Sequence, residues 1–445
     1  MKEEPDPLFY EFQRSLPFDI ALLREEIEIA RGWVAILRGR NLLTAPEART
    51  LVRHLNELDR LRASGKAPVS AEIEDVHSLV ENYLTESAGA AGKKLHTGRS
   101  RNELAPAVLR LHMMRTGREI RKTLLDLLSA TLAQAEANLD TLCPFYTHQQ
   151  RAEPVRLSYL WLAHFFQWSR DLERLDEILR RFDLSPMGSG AGAGSSIHLS
   201  RSETERRLGF SASFDNALDA TTSRDFVAEF LAWAALLMTN LSAISQEIIL
   251  WTSSEYGWAT LPDSLVTGSS LLPHKRNADG AELVRSKAGR VLGHHTAFLA
   301  SLKGLTLGYS KDLQEDKVHV LDTERTVLDS LRVMTKMVAR LKFRPEAMRK
   351  ALDEQFLGSV ALIDELVAVG VPFRDAYDRV ATALANSNNP AGVLEAFRGV
   401  LPAATLKALD DPRVSIEHKK GWGGTSLRAV RAQLATARSF LKSRA

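Results

Sequence analysis

Cysteine is almost missing from this sequence of 445 residues, which contains only Cys143. A single cysteine excludes a disulfide within the chain, so the fold does not require an oxidising compartment. It also excludes a zinc site with four cysteine ligands. Structural frameworks built on cysteine are therefore ruled out.

Glycine and proline are scarce as well, with 26 and 16 residues. Together they make up about 9% of the chain, against roughly 12% in an average protein. Because both residues interrupt helices, their scarcity predicts long uninterrupted elements. The hydrophobic share of 44% and the charged share of 25% are ordinary for a globular protein and exclude a mainly disordered chain.

Long hydrophobic runs and a strong net charge are also missing. The longest uncharged apolar stretch, residues 230–246, contains five polar residues and falls short of the roughly 20 apolar residues of a membrane helix. It predicts a buried helix of a bundle. The acidic N-terminus lacks the apolar core of a signal peptide, so we expect a cytoplasmic protein. The net charge of +3 does not indicate nucleic-acid binding.

What the sequence does contain is helical periodicity. Apolar residues recur at steps of three and four from Leu157 to Leu179, and again over residues 226–248 and 283–302. No sustained alternation with period two indicates a large sheet. The pattern predicts an all-α protein with three helical regions: an N-terminal helical domain (1–100), a central long-helix bundle that carries the polar loops (101–344) and a C-terminal helical domain (345–445).

Three polar segments could carry chemistry. The first, LHTGRSRN (95–102), places hydrogen-bond donors and two arginines before a helix, where they could bind carboxylates; the alternative is a solvated helix cap. The second, PFYTHQQRAEP (144–154), places His148 in a turn between two helices, where it could transfer protons; the alternative is a surface histidine. The third, GSSLLPHKRN (268–277), surrounds two serines with cations and amides; the alternative is a flexible basic loop.

Several familiar templates are absent. The glycine-rich stretch GSGAGAGSS (188–196) has no lysine after it and follows a helical segment, so it is neither a P-loop nor a dinucleotide-binding turn. His294 and His295 are adjacent and would point to different faces of a helix, which makes them a poor metal pair. The chain contains no H-E-x-x-H or G-x-S-x-G motif.

Four motifs occur in order on this helical chain: LHTGRSRN (95–102), PFYTHQQRAEP (144–154), GSSLLPHKRN (268–277) and KDLQEDK (311–317). Together they resemble the argininosuccinate lyase family of the fumarase/aspartase superfamily. Further stretches look similar, namely EDVH (74–77), PMGSGA (186–191), NALDATTSRDFVAEFL (216–231), VPFRDAY (371–377) and GGTS (423–426). The resemblance is thus nearly chain-wide, and it implies a long-helix bundle that assembles into a tetramer core.

The resemblance implies a lyase of arginine biosynthesis that splits argininosuccinate into arginine and fumarate by β-elimination. Ser269 would remove a proton from the carbon beside a carboxylate, and Lys275 would hold the succinyl carboxylates together with Asn277. His148 would protonate or position the leaving nitrogen, with Glu282 as its acidic partner. The substrate contacts implied are Ser100, Arg101, Asn102, Thr147, Asn277, Tyr309, Gln314 and Lys317.

The family further implies a homotetramer with sites shared between subunits, small-molecule substrates, and no metal, organic cofactor, nucleic acid or membrane. The sequence departs from the family at some positions. Glu28 stands where the family has a serine that helps to bind the substrate, and Glu103-Leu104 replaces Asp-Gln after Asn102. Two alternatives therefore stay open: a sibling lyase that releases fumarate from another N-succinyl amine, and a catalytically silent structural relative.

Overall fold

The computed structural model describes residues 6–197, 199–387 and 389–444. The described chain is mostly helical, which confirms the predicted fold class. Its α-helices up to the middle of the chain are α1 (Pro7–Gln13), α2 (Leu16–Asp19), α3 (Leu23–Gly39), α4 (Ala45–Ala63), α5 (Val76–Ala88), α6 (Arg101–Ala137), α7 (Leu157–Phe182), α8 (Arg201–Leu208), α9 (Ala217–Thr222) and α10 (Asp225–Thr252).

The remaining α-helices are α11 (Asp279–Leu302), α12 (Asp316–Arg340), α13 (Pro345–Asp353), α14 (Ser359–Ala368), α15 (Phe373–Asn386), α16 (Pro390–Glu395), α17 (Ala403–Leu409), α18 (Pro412–His418) and α19 (Leu427–Arg444). Short 3₁₀ helices cover Ile20–Leu22, Gly92–Lys94, Asp263–Leu265 and Lys311–Glu315. Helix α11 begins and ends where the periodicity after Asp279 predicts a helix, and α7 contains the stripe that starts at Leu157.

The strands are short and form three separate pairs in the described chain. They are β1 (Leu142–Thr147), β2 (Gln150–Arg156), β3 (Leu184–Ser185), β4 (Ala212–Ser213), β5 (Ala259–Thr260) and β6 (Lys342–Phe343). Strands β1 and β2 pair antiparallel with Leu142 opposite Arg156, β3 and β4 pair parallel, and β5 and β6 pair antiparallel. No large sheet forms in this part of the chain, in agreement with the missing period-two alternation.

The chain divides into two compact units. The first comprises the described residues of Met1–Arg121, Glu173–Ala235 and Arg290–Val327, and the second those of Lys122–Leu172, Leu236–Gly289 and Leu328–Ala445. The three domains predicted from the sequence, which follow breaks in composition, stay a prediction.

In the first unit, α3 packs on α4 through apolar side chains at helical spacing. The buried residues of α3 include Ile27, Trp33 and Leu37, and those of α4 include Leu51 and Leu55. Thr44 and Glu47 cap the start of α4 reciprocally, each side chain bonding to the backbone N–H of the other residue. The capped start fixes where α4 begins and therefore which of its faces meets α3.

Gly32 allows α8 to approach α3 closely. A Cβ atom at this position would lie 2.3 Å from the backbone oxygen of Arg207. Because real Cβ atoms do not come that close to a carbonyl oxygen, only glycine fits here.

Helix α10 contains the apolar stretch of residues 230–246. With 28 residues, the whole helix is long and apolar enough to cross a membrane by length and composition alone. The stretch of residues 230–246 taken by itself is too short for that. Core helices pass the same test, and 56% of its most apolar stretch is buried inside the protein. Its polar Asn240 is buried and donates to Asp171 at 2.7 Å. These contacts favour a core helix.

In the second unit, a cluster of apolar residues holds the C-terminal helices α14–α17 together. It includes Leu362 and Leu366 of α14, Val380 of α15 and Leu394 of α16. A smaller cluster joins Leu142 of β1 to Leu352 of α13 and Ile416 of α18. The β1–β2 pair is thereby anchored at the end away from its turn.

Candidate active site

Ser100 lies at the start of α6, in the first motif. Its hydroxyl accepts the backbone N–H of Asn102 at 3.2 Å, and its own backbone N–H donates to Glu103 at 3.0 Å. This is the reciprocal arrangement that ends a loop and begins a helix. The donors that the sequence places before a helix thus lie at the first turn of α6, where the helix dipole favours anions.

Glu103 ties this helix start to the glycine-rich loop. Its second carboxylate oxygen accepts the backbone N–H groups of Gly188 at 2.7 Å and Gly190 at 2.8 Å. Asn102 donates to the backbone oxygen of Ala191 at 3.1 Å. Burial raises the pKa of Glu103 to about 7, although the backbone donors act in the opposite direction.

Arg101 is held by acidic side chains near the start of α5. Its guanidinium lies 3.2 Å from Asp75 and 3.5 Å from Glu74, and it donates to the Ser78 hydroxyl at 2.7 Å. Burial raises the pKa of Asp75, but the charges of His77 and Arg101 outweigh it, so the pKa lies below its ordinary value. The carboxylate that orients Arg101 is therefore ionised at neutral pH.

Glu74 brings the first and fourth motifs together. Besides Arg101, it pairs with Lys311 at 3.1 Å, across 237 positions of the chain. Gln314, in the same 3₁₀ turn as Lys311, donates to the backbone oxygen of Gln13 at 3.0 Å. Arg101 of the first motif and Lys311 of the fourth consequently share one carboxylate in the first unit.

Lys317 belongs to a buried charge cluster in this unit. Its ammonium lies 3.0 Å from Asp316, and the other oxygen of Asp316 lies 2.6 Å from Arg224. All three side chains are nearly inaccessible to solvent, and Nη2 of Arg224 has no hydrogen-bond partner among the described residues. Burial raises the pKa of Asp316, and the two cations lower it further than burial raises it.

An unpartnered guanidinium N–H in such a cluster is a donor available to an anion. Tyr309 is near the same charges: burial raises the pKa of its phenol, which Arg224 lowers and Asp316 raises, with a net upward shift. Three of the predicted substrate contacts, Tyr309, Gln314 and Lys317, thus lie on one short stretch of the first unit.

Thr147 and His148 lie at the tip of the β1–β2 hairpin in the second unit. The sequence predicts His148 in a turn between two helices, and this is wrong in detail because two strands separate the turn from α6 and α7. His148 and Gln149 have φ of 52° and 60°, the left-handed conformation that a two-residue hairpin turn demands. Non-glycine residues adopt it at a cost of about 1–2 kcal/mol each, and such strain is concentrated at functional sites.

Ser269 lies in an exposed loop of the second unit, between Thr267 and Asn277. These two residues exchange both backbone hydrogen bonds, at 3.1 and 2.9 Å, and so close the loop at its base. Within the loop, the Ser269 hydroxyl oxygen accepts the backbone N–H groups of Leu271 at 3.3 Å and Leu272 at 3.0 Å. Two N–H groups directed at one oxygen stabilise negative charge on it.

Lys275 and Glu282 are exposed on either side of Asn277, and Glu282 lies in the first turn of α11. Within the described residues of the second unit, no hydrogen bond joins Glu282 to His148. The predicted pairing of these two side chains stays a prediction. Among the described residues, no group of three or more His, Cys, Asp or Glu side chains is arranged to hold a metal ion.

Sequence reasoning gave no role to four residues that organise these segments. They are Glu74, Glu103, Arg224 and Asp316. Each lies inside or beside a stretch that resembles the family, which was the available signal. They bond to predicted contact residues or, in the case of Arg224, to the partner of one, and the contacts of Glu74 and Arg224 join distant parts of the chain.

Comparison with known proteins gives consistent matches. Residues 1–293 match a family model described as Lyase. The argininosuccinate lyase of Geobacillus thermodenitrificans is 38% identical over 97% of this chain and 95% of its own, and that of Desulforudis audaxviator is 40% identical over 99% and 98%. The crystal structure of EDDS lyase in complex with formate superposes with a TM-score of 0.85 at 26% identity, covering 98% of this chain and 89% of that one. The match of motifs, helical fold and full-length identity shows that this chain belongs to the argininosuccinate lyase family.

Proposed function

We propose that the protein cleaves argininosuccinate into arginine and fumarate in arginine biosynthesis. The observation that carries the proposal is the full-length similarity to argininosuccinate lyases, with Ser269, Lys275, His148 and Glu282 all present. The helix start at Ser100–Asn102 and the clustered cations of the first unit supply donors of the kind that a dicarboxylate needs.

Ser269 acts as the base in this proposal. Its oxygen takes a proton from the carbon beside a succinyl carboxylate, and the electron pair of that C–H bond moves onto the carboxylate. The N–H groups of Leu271 and Leu272 support the alkoxide form of Ser269. Because preorganised donors stabilise developing charge most strongly, this arrangement favours proton removal at Ser269.

Lys275 and Asn277 stabilise the doubly charged carboxylate that results. The electron pair then forms the carbon–carbon double bond of fumarate, the C–N bond breaks, and the leaving nitrogen takes a proton. His148, supported by Glu282, delivers or positions that proton. Arg101, Lys317 and the hydroxyl and amide side chains of Ser100, Asn102, Thr147, Tyr309 and Gln314 hold the substrate.

We also propose a homotetramer whose sites are shared between subunits. Long helices present leucines to solvent in the single chain, with Leu283, Leu292 and Leu299 of α11 exposed by 57%, 46% and 45%. Exposed apolar residues along a long helix favour burial against another subunit. Light scattering should give four times the mass of the chain, and a monomer with full activity would contradict the proposal.

Mixing experiments test the shared sites. In this proposal Ser269 and His148 of one site come from different subunits. Inactive Ser269→Ala and His148→Asn tetramers, dissociated and reassembled together, should therefore regain activity because some sites then receive both wild-type residues. Reassembly of each variant alone is the control. No recovery from the mixture would contradict a site that takes Ser269 and His148 from different subunits.

The reaction is tested directly by mixing the purified protein with argininosuccinate and following the absorbance of fumarate. Release of fumarate and arginine in equal amounts is expected. Release of fumarate from another N-succinyl amine, without cleavage of argininosuccinate, would overturn the assignment of the amine. Inactivity on every succinylated amine would favour a catalytically silent relative.

A second candidate, a sibling lyase acting on another N-succinyl amine, is favoured by Glu28. Its carboxylate lies 3.2 Å from Arg24 and 3.0 Å from Arg115, so a position that is serine in the family is part of an ion-pair network here. EDDS lyase, which superposes on this chain, is a relative with a different named activity. The same fumarate assay, run on a panel of N-succinyl amines, ranks the two candidates by kcat/KM.

We propose a cytoplasmic location as well. Cys143 is buried as a free thiol whose pKa is raised by burial, so the described chain uses its one cysteine for packing. Fractionation of the source cells with activity measured in each fraction tests this, and activity confined to an extracellular fraction would contradict it.

A further inference from the structure

The first unit contains a cavity of about 720 Å³ between α3 and α4, close to α8. Six arginines line it: Arg31, Arg38, Arg49, Arg53, Arg60 and Arg207. No carboxylate is among its lining residues, and none of the predicted active-site residues is either. Its size is that of sites for small organic ligands.

The spacing of these arginines places them on the facing sides of two helices. Arg31 and Arg38 lie seven positions apart on α3, while Arg49, Arg53 and Arg60 follow at steps of four and seven on α4. Steps of four and seven keep side chains on one face of a helix. Like charges four residues apart destabilise a helix by a few tenths of a kcal/mol, so this arrangement does not serve the stability of α4.

Most of this charge is not neutralised. Arg31 pairs with Asp59 at 3.0 Å, and Arg207 lies 3.7 Å from Glu203. For Arg38, Arg49, Arg53 and Arg60, no acidic partner lies within ion-pair distance in the described parts of the chain. Arg53 instead donates to His54 at 3.1 Å.

Other cavities of the described chain differ in charge. One near β1 and α13 is lined by Asp140, Glu346, Asp353 and Glu354 together with Arg349, Lys350 and Arg413. Another between α16 and α17 pairs Glu395 and Asp410 with Arg398 and Lys407. A one-sign lining therefore distinguishes the arginine-lined cavity.

The cavity also has an apolar floor. Val34, Ala35, Ala48 and Val52 lie between the arginines of the two helices. A ligand that fits both features carries several negative charges at one end and an apolar body at the other. A guanidinium group can donate two parallel hydrogen bonds to the oxygens of one phosphate, and it can stack on a flat aromatic ring.

We propose that this cavity binds a small organic polyanion with a flat apolar body, of the nucleoside polyphosphate class. The phosphates contact the arginines that have no acidic partner among the described residues. The nucleobase of the ligand packs on the apolar side chains of Val34 and Val52. Because the arginines face one another across a single cavity, they suit a compact ligand better than an extended polymer. The site is distinct in residues from the predicted catalytic groups.

The test is calorimetric titration of the full protein with ATP, in low and in moderate salt. ATP should bind, more weakly as salt rises, since screening weakens exposed charge pairs. Tripolyphosphate should bind more weakly than ATP, and adenosine should not bind measurably. Equal affinity for ATP and tripolyphosphate, or no binding of ATP at low salt, would overturn the proposal.

Variants locate the binding. Arg49→Ala with Arg53→Ala should lower the affinity for ATP at least about tenfold, because two charge-assisted contacts are lost. The matched control is Arg428→Ala with Arg431→Ala on α19, which removes two exposed positive charges elsewhere. Thermal unfolding of both variants checks that the fold is retained, with Arg60→Ala as a milder replacement if the double variant unfolds. Equal loss in test and control variants would mean unspecific charge attraction and refute the site.

Saturating fumarate separates this cavity from the active site. If ATP binds at the arginine-lined cavity, fumarate should not displace it. Full competition between fumarate and ATP would place the anion at the catalytic site and contradict the proposal.

Discussion

The Glu103 carboxylate accepts the backbone N–H of Gly190 at 2.8 Å and so fastens the glycine-rich loop to the first turn of α6. The same carboxylate also bonds to the N–H groups of Gly188 and Ser100. Glu103 stands where the family has aspartate. It thus connects the glycine-rich loop to the helix start that is predicted to bind substrate.

Replacing Glu103 with glutamine should weaken the hydrogen bonds between α6 and the glycine-rich loop. The amide keeps one acceptor oxygen but turns the other partner atom into a donor, which faces a backbone N–H. We expect a loss of about 1–3 kcal/mol in the free energy of unfolding and a higher KM with a smaller change in kcat. Chemical denaturation and steady-state kinetics measure the two effects, and an unchanged KM would contradict the positioning role.

The pH dependence gives a second readout at Glu103. Its pKa is raised from an ordinary 4.5 to about 7 by burial, so between these values the folded state keeps a proton that the unfolded state has lost. Stability at this group therefore falls as the pH rises from about 4.5 to about 7. The difference in unfolding free energy between wild type and Glu103→Gln should show this slope, and a flat difference would contradict it.

His112 lies between two buried carboxylates and should be essential for stability. It is 2.9 Å from Glu324 and 3.5 Å from Glu25. Replacement with glutamine leaves both acids without a cation at this position, and we expect a loss of roughly 3–5 kcal/mol. Urea unfolding at neutral pH measures it, with His54→Gln, at a partly buried histidine of α4, as the control.

Deprotonation of His112 should lower the free energy of unfolding at alkaline pH. Burial lowers the pKa of His112, but Glu324 and Glu25 raise it further, to about 10. A folded pKa above the unfolded value of about 6.5 means that the stabilisation is complete below pH 6.5 and disappears as the pH rises toward 10. The wild-type protein should lose this part of its stability over that range, whereas the His112→Gln variant should not.

Ser269 and its neighbour Ser270 offer a matched pair. Ser269→Ala should lower kcat by at least about 10²–10⁴-fold, because the proposed base is lost. Ser270→Ala removes the same atom from the adjacent position and should keep most of the activity. Similar losses in the two variants would show that the loop needs its hydroxyls for structure rather than for proton removal.

Glu28→Ser restores the family residue and tests substrate choice. Its pairs with Arg24 and Arg115 are partly exposed, so the free energy of unfolding should change by less than about 1 kcal/mol. We expect the ratio of kcat/KM for argininosuccinate to that for other N-succinyl amines to rise. An unchanged ratio would mean that Glu28 takes no part in recognising the amine.

The helical architecture could be predicted from the sequence because it depends on local periodicity. The stripe from Leu157 to Leu179 and the segment after Asp279 correspond to α7 and α11. The β1–β2 hairpin was missed because its turn residues, His148 and Gln149, are not the usual Asn-Gly and because prolines disfavour strands. In the structure, Pro144 and Pro154 face each other across that hairpin.

The candidate site could be predicted only as separate segments. The motifs indicated which residue types carry chemistry, and the structure places Ser100, Arg101 and Asn102 on one helix start. The ion pairs that orient them join residues far apart in the chain, such as Glu74 and Lys311. Local patterns contain no information on such contacts, which depend on how the helices pack.

The paired backbone hydrogen bonds of Thr267 and Asn277 separate the serine loop mechanically from α11. Because both ends are bonded to each other, side chains at positions 270–274 can be exchanged with little effect on α11, provided that Ser269 and Lys275 keep their places. Exchange of these side chains for those of other members of the family is therefore a practical route to altered substrate range, with Ser269, Lys275 and Asn277 kept.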